Sequence, residues 1–180
     1  MGIKIIIGIG IGAILFFLAF GLYNASKLKT IEITQSISIR APQKKVYDMI
    51  SQLSNYPKWS PFLAQDPTQN YSVKGKDGIV GAQYHWEGNN GKDLGHQKIE
   101  SLEPNSFIGI KVHIQKPFKA EPMFNYTIRT MGSRTEVSQK FILQSGLVDA
   151  YFLWLFGVKK EMEITNKQGL NLLKKASEKS

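Results

Sequence analysis

The first 26 residues constrain the chain most, because they contain a long segment without charge. From Ile5 to Ser26 there are 22 consecutive uncharged residues, most of them apolar. As a helix rising about 1.5 Å per residue, this segment would be about 33 Å long, which matches the apolar thickness of a bilayer. We therefore predict a transmembrane anchor over residues 1–26. Three of its aromatic side chains are expected to contact lipid: Phe16, Phe17 and Tyr23.

Two other interpretations of this segment stay open. A cleaved signal peptide needs small residues at its cleavage site, but the best candidate, residues 23–25, begins with a tyrosine. A buried helix of a soluble domain is the third interpretation. The anchor is favoured. More basic residues follow the segment than precede it, so the positive-inside rule predicts a single-pass membrane protein with residues 27–180 as a cytoplasmic domain.

The charge and the cysteine count exclude several kinds of function. The sequence has 23 Lys and Arg residues against 14 Asp and Glu, a formal net charge of +9, and no cysteine. Without cysteine there is no disulfide, no thiolate nucleophile and no cysteine-ligated metal. Only one basic residue, Lys4, lies in the predicted anchor, so the charge belongs to the domain. We predict no nucleic-acid partner, because no helix-turn-helix, finger or base-stacking signature is present. The nearest anionic partner of a tethered domain is the membrane.

After the predicted anchor, apolar residues recur with the periods of strands and of helices, which predicts an α+β domain. Residues 31–39 alternate apolar and polar with period two, as a half-buried strand does, and Pro42 then precedes a short amphipathic helix. Six further alternating runs are separated by turn residues, at 71–74, 82–88, 94–101, 107–114, 123–130 and 135–143. Near the C-terminus the spacing of Leu170, Leu172 and Leu173 is helical, which predicts an amphipathic helix. We predict a seven-stranded antiparallel sheet with a long C-terminal helix across one face.

Several segments resemble the START-like (SRPBCC) superfamily. They include Ile-Ser-Ile-Arg-Ala-Pro at 37–42, Asn-Tyr-Pro-Lys-Trp-Ser-Pro at 55–61 and Gly-Ala-Gln-Tyr-His-Trp-Glu-Gly-Asn at 81–89. The resemblance covers residues 30–176 and is closest to the polyketide cyclase/dehydrase and lipid-transport-like branch. It implies a helix-grip fold, in which a curved sheet wraps around the C-terminal helix with an apolar cavity between them. It also implies a hydrophobic small molecule or lipid as the ligand.

Side-chain parity selects the residues that would line such a cavity. Successive side chains of a strand point to opposite faces, so the apolar parity faces the helix. Six strand residues of this parity are candidate ligand contacts, together with two aromatic residues of the segment 54–62: Tyr84, Trp86, Gln97, Ile110, Tyr126, Gln139, Trp59 and Phe62. The aromatic residues are either core packing or cavity wall. The inward glutamines, which include Gln35, either pair with each other and with water or bind a polar group of the ligand.

The residues that commonly catalyse reactions have the opposite parity. This outward set contains all three histidines and the acidic residues of the predicted strands: His85, His96, His113, Glu32, Glu87, Glu100, Glu121 and Glu136. We therefore predict no metal and no cofactor, and we favour a binding function over an enzyme. An alternative is a cyclase/dehydrase-type enzyme that uses Tyr84, Tyr126 or Asp48 as an acid. A third possibility is a scaffold that binds a protein partner.

A second apolar segment spans residues 146–158. At 13 residues it is too short to cross a bilayer. Tyr151 and Trp154 suit a membrane interface, and Lys159 and Lys160 follow where anionic head groups would lie. The segment is either a helical turn packed over the cavity mouth or a gate that enters the membrane beside the anchor.

Overall fold

The computed structural model describes residues 2–179, without the side chains of residues 3 and 4. Met1 and Ser180, the outermost residues of the predicted segments 1–26 and 27–180, lie outside it. Five α-helices are present in this range: α1 (Gly2–Ser26), α2 (Gln43–Ser51), α3 (Pro61–Gln65), α4 (Leu147–Leu155) and α5 (Val158–Glu178). The strands are β1 (Thr30–Ile39), β2 (Asn70–Lys74), β3 (Gln83–Gly88), β4 (Asp93–Glu103), β5 (Phe107–Lys116), β6 (Met123–Met131) and β7 (Arg134–Gln144).

The strands form one antiparallel sheet in the order β1-β7-β6-β5-β4-β3-β2. The predicted α+β helix-grip fold with seven strands is confirmed. Both boundaries of each predicted run lie within two residues of the boundaries of the corresponding strand. Strands β2 to β7 are joined by turns and loops of at most eight residues, and each of β2 to β6 pairs with the next strand in sequence. The first strand is the exception, because it pairs with the last one.

The apolar parity of the strands faces α5. Ile31, Ile39, Ile99, Ile108 and Val137 are at most 1% exposed. The pairing of β4 with β5 shifts twice, between Leu94 and Gly95 and, through a bulge in β4, between Ile99 and Ser101. Beyond this bulge the parity is reversed, so that Leu102 lies opposite Ile108.

Helix α5 lies across the inner face of the sheet. Its Leu170 and Leu173 are buried in the same cluster as Val46 and Ile50 of α2. Polar contacts fix its position along β1: the Gln35 amide donates to the carbonyl of Glu163 at 2.9 Å. A long helix with one apolar stripe thus closes the core that the sheet leaves open.

The N-terminal helix α1 projects from this core. Its stretch Ile5–Ser26 is long and apolar enough to cross a membrane, and almost all of it is exposed. The last turns of α1 pack on α4, where Trp154 lies 5.8 Å from Phe17 and 5.9 Å from Phe20 between ring centroids. Gly21 permits this approach, since a Cβ there would lie 2.9 Å from the Trp154 ring and even closer to Tyr151.

Candidate ligand cavity

A cavity of about 300 Å³ lies between the sheet and α5. Strands β3 to β7 supply one wall, and α5 supplies the other with Met162, Thr165, Asn166 and Gly169. Leu153 of α4 and Phe118 of the β5–β6 loop also line it. Its walls are mostly apolar, which is the usual character of a small-molecule site.

All eight candidate ligand contacts line this cavity, both the six that strand parity selected and the two from the aromatic segment before β2: Tyr84, Trp86, Gln97, Ile110, Tyr126, Gln139, Trp59 and Phe62. Tyr84, Gln97, Tyr126 and Gln139 are buried, whereas Phe62 is 39% exposed and therefore lies at the rim. Parity succeeds here because β3, β4, β5, β6 and β7 run through the cavity wall without a bulge at the selected positions.

Aromatic rings form the end of the cavity near α2. Tyr56 packs edge-on against both Trp59 and Tyr84, with ring centroids 4.9 Å and 5.0 Å apart. The Trp59 indole Nε1 donates to the carbonyl of Met49 at 3.0 Å, which holds the ring in place. Trp59 is 3% exposed, so it belongs to the core and to the cavity wall at once.

Asp93 is a cavity residue that sequence reasoning missed. Its Oδ1 accepts from Trp86 Nε1 at 3.0 Å, and it lines the cavity. Trp86 packs against Gly95, where a Cβ would lie 2.5 Å from the ring. Asp93 has the same parity as Gly95 and Gln97, but the predicted strand begins one residue later, at residue 94. A predicted strand extended by one residue toward the preceding turn would include Asp93 among the inward positions.

Four buried polar atoms in the cavity wall have no hydrogen-bond partner among the described residues. They are Tyr84 Oη, Gln97 Nε2, Gln139 Oε1 and Asn166 Nδ2. One pair is satisfied, since Gln139 Nε2 donates to Tyr126 Oη at 2.9 Å. Buried polar groups are rarely left without partners, so these atoms mark places where a bound molecule or water would supply one.

Gln35 does not belong to this set of cavity residues. It points inward as parity predicts, but its amide donates to the Glu163 carbonyl on α5, and it does not line the cavity. The difference arises because α5 crosses β1 closely at this position and covers the side chain.

Ionisable groups are few in the cavity wall. Burial raises the pKa of Tyr56 to about 12 and also raises the pKa of Tyr84 and Tyr126 above the usual tyrosine range. These phenols are therefore neutral at physiological pH and act as hydrogen-bonding groups. Asp93 is the single carboxylate among the described lining residues, and no Lys, Arg or His of residues 2–179 lines the cavity.

The other candidate acids and bases lie elsewhere. Asp48 is on the surface of α2, where it pairs with Lys44 at 2.6 Å. The three histidines stack on the outer face of the sheet, with ring centroids 5.0 Å apart for His85 and His96 and 4.6 Å apart for His96 and His113. Strand parity predicts that the histidines lie on this face, and no described histidine lines the cavity.

The sheet, the gripped helix and the cavity between them define the chain as a helix-grip protein of the START-like kind. Over residues 30–178 the sequence matches the family described as polyketide cyclase / dehydrase and lipid transport. The chain belongs to this family, which confirms the resemblance seen in its sequence motifs. No curated protein matches the chain.

Solved structures share the fold at low sequence identity. Protein CV1439 from Chromobacterium violaceum is 14% identical with a TM-score of 0.59, covering 83% of this chain and 99% of its own. Protein MLL2253 from Mesorhizobium loti is 13% identical with a TM-score of 0.58, covering 81% and 95%. DynU16, from the dynemicin biosynthetic locus, is 10% identical with a TM-score of 0.59, covering 83% and 48%. At these identities the likeness establishes the fold alone.

Proposed function

We propose that the protein binds or carries a neutral hydrophobic small molecule, or part of a lipid, at the membrane in which α1 anchors it. The observation that carries this proposal is the set of four unpaired polar atoms in an otherwise apolar cavity. An apolar ligand body would fill the cavity, and its few polar atoms would pair with Gln97, Gln139, Asn166 and Tyr84.

The charge of the wall favours a ligand without an anionic head. A buried anion needs a cation or several donors, but the described lining residues offer amides and phenols and no cation. The carboxylate of Asp93 would repel an anion further. Unpaired donors on Gln97 and Asn166, together with the unpaired acceptor on Gln139, match a neutral molecule with a carbonyl or hydroxyl group.

The size of the cavity sets a second limit. A volume of about 300 Å³ has room for about ten water-sized groups. A compact ligand fits within it, as does the end of one chain of a larger lipid. A phospholipid with two long chains would not be enclosed.

The raised pKa of the cavity tyrosines favours binding over the alternative of an enzyme. A catalytic acid works best when its pKa lies near the working pH. Burial raises the pKa of Tyr56 to about 12 and displaces the pKa of Tyr84 and Tyr126 in the same direction. These groups are thus suited to hold a ligand by hydrogen bonds and are poor proton donors.

Membrane attachment by α1 supports the same function. The exposed apolar stretch Ile5–Ser26 has the length of a bilayer span. The greater basic charge after this stretch favours a single-pass protein whose domain faces the cytoplasm. A binding domain held at the bilayer would meet hydrophobic ligands where they are most concentrated.

Native mass spectrometry of the detergent-purified full chain tests the proposal with a matched pair of ligands. We expect retention of 1-decanol, which is neutral, and not of decanoate, which has the same chain length and an anionic head. Gln97→Leu should weaken retention of decanol, whereas Gln144→Leu, the same change at an exposed position, should not. Equal retention of both ligands, or of neither, would contradict the proposal.

A further inference from the structure

The outer surface of α4 is apolar and unusually exposed. Five large apolar side chains on it and just after it are at least 40% exposed: Leu147, Val148, Phe152, Leu155 and Phe156. Their exposed fractions reach 70% at Val148 and Phe156. Contiguous apolar surface of this kind marks a place where a protein meets another apolar phase.

The other sides of α4 are already occupied. Ala150 and Leu153 are buried toward the sheet, and Leu153 lines the ligand cavity. Trp154 lies against Phe17 and Phe20 of α1. One helix is therefore in contact with the cavity on one side and with the anchor on another.

The contacts with α1 fix the depth of α4 relative to the bilayer. Phe20 and Phe17 lie six and nine residues before Ser26, the end of the apolar stretch. At a rise of about 1.5 Å per residue, these positions are about 9 Å and about 14 Å inside that end. Since Trp154 touches both rings, it lies within the apolar stretch and not above it.

The order of the contacts gives the direction in which α4 runs. Tyr151 meets Gly21, and Trp154 meets Phe17 and Phe20, so α4 descends along α1 from Gly146 toward Phe156. Asp149, the acidic residue of α4, is in its first turn and thus at the shallow end.

A basic residue lies at the shallow end of this region. Lys27 follows α1 directly, and its side chain is exposed. A lysine at this level reaches the head groups, where anionic lipids attract it.

We propose that the outer surface of α4 is embedded in the leaflet that α1 enters, in contact with acyl chains. The proposal rests on the membrane anchor of the proposed function and names the bilayer as the occupant of this surface. It follows that a single helix separates the ligand cavity from the lipid.

Because the chain has no cysteine, single cysteines placed in the full-length protein report local surroundings directly. Phe152→Cys and Val148→Cys are labelled with the polarity-sensitive fluorophore NBD and reconstituted into phosphatidylcholine/phosphatidylglycerol vesicles. We expect blue-shifted emission, quenching by lipids with a spin label on the acyl chain, and loss of quenching by aqueous iodide. Both positions are at least 50% exposed, so the substitutions leave the core intact.

Two controls separate the possible results. Tyr71→Cys, at a 51% exposed aromatic residue of β2, should be quenched by iodide and not by lipid. Phe16→Cys, in the middle of the anchor and 72% exposed, should be quenched by lipid. If Phe152→Cys behaves like Tyr71→Cys while Phe16→Cys is quenched by lipid, the embedding of α4 is refuted and the anchor stands. If Phe16→Cys also escapes lipid quenching, both the embedding and the membrane part of the proposed function are refuted.

Discussion

Replacing Gln97 with leucine should stabilise the ligand-free protein while weakening ligand binding. Gln97 is 6% exposed, and its Nε2 has no partner among the described residues. An unsatisfied buried donor costs about 1–3 kcal/mol, and leucine fills a similar volume without this cost. We therefore expect the free energy of unfolding to rise by about 1–3 kcal/mol.

The same change should cost affinity. A hydrogen bond from Gln97 to a ligand would contribute about 1 kcal/mol net, which corresponds to a loss of about fivefold in affinity on its removal. Gln139→Leu should differ, because it removes the unpaired Oε1 but also leaves the Tyr126 hydroxyl without the partner it now has at 2.9 Å. We expect that second variant to change the stability of the ligand-free protein little.

Thermal unfolding of delipidated protein measures the first effect. A gain of about 1–3 kcal/mol corresponds to a rise in Tm of about 2–4 °C per kcal/mol for a chain of this size. Gln144→Leu serves as the control for the substitution itself, because Gln144 is exposed at the end of β7. A fall in Tm for Gln97→Leu would mean that the amide is already satisfied without a ligand, and the reasoning from unpaired polar atoms would be refuted.

Four further changes have defined outcomes. Trp59→Ala should lower the free energy of unfolding by about 3–5 kcal/mol, because Trp59 is 3% exposed; a loss below about 1 kcal/mol in chemical denaturation would contradict its place in the core. Burial, helped by the neighbouring His113 and His85, lowers the pKa of His96, so the unfolded chain binds the proton more readily and stability should fall as pH drops below about 6.5. His96→Gln should reduce the fall in Tm between pH 7.5 and 5.5, and an unchanged profile would exclude this histidine as its cause. Gly21→Leu should push α4 off α1, because the Trp154 ring lies only 2.9 Å from a Cβ at this position, and expose α4 to limited proteolysis; an unchanged cleavage pattern would show that α1 does not hold α4. Leu153→Phe narrows the cavity beside α4 and should weaken retention of 1-decanol more than that of 1-hexanol, whereas equal effects would place the ligand away from this end.

Much of the fold follows from the sequence because strand alternation is a local signal. Each side chain in a half-buried strand must match the face on which it lies, so period two in the sequence gives both the strand and the inward parity. This is why the sequence alone predicts that Tyr84, Gln97 and Gln139 lie on the inner face. The same signal weakens at strand ends, which explains why Asp93 was missed beside a turn.

The contributions of α5 and of the loops could not be predicted in the same way. Met162 and Asn166 reach the cavity because of the rotation of α5 over the sheet, and that rotation depends on packing between distant parts of the chain. Phe118 lines the cavity from a loop, where no periodicity indicates a direction. Likewise, the partner of Gln35 on α5 is 128 residues away in sequence.

The two ends of the cavity differ in a way that would orient any ligand within it. Near α4, the buried side chains form an apolar cluster separate from the main core, made up of Ile31, Ile33, Phe141, Leu143 and Leu153. Tyr84, with its unpaired hydroxyl, belongs instead to the main core together with Trp59 and Tyr126. Burying a polar head in the apolar cluster would cost its hydrogen bonds to water without replacing them. A bound ligand would therefore hold its polar end against the tyrosines and amides and direct its apolar end toward α4. If α4 lies in the leaflet, the apolar end of the ligand faces the acyl chains. A ligand that leaves the cavity would then enter the membrane with its apolar end first.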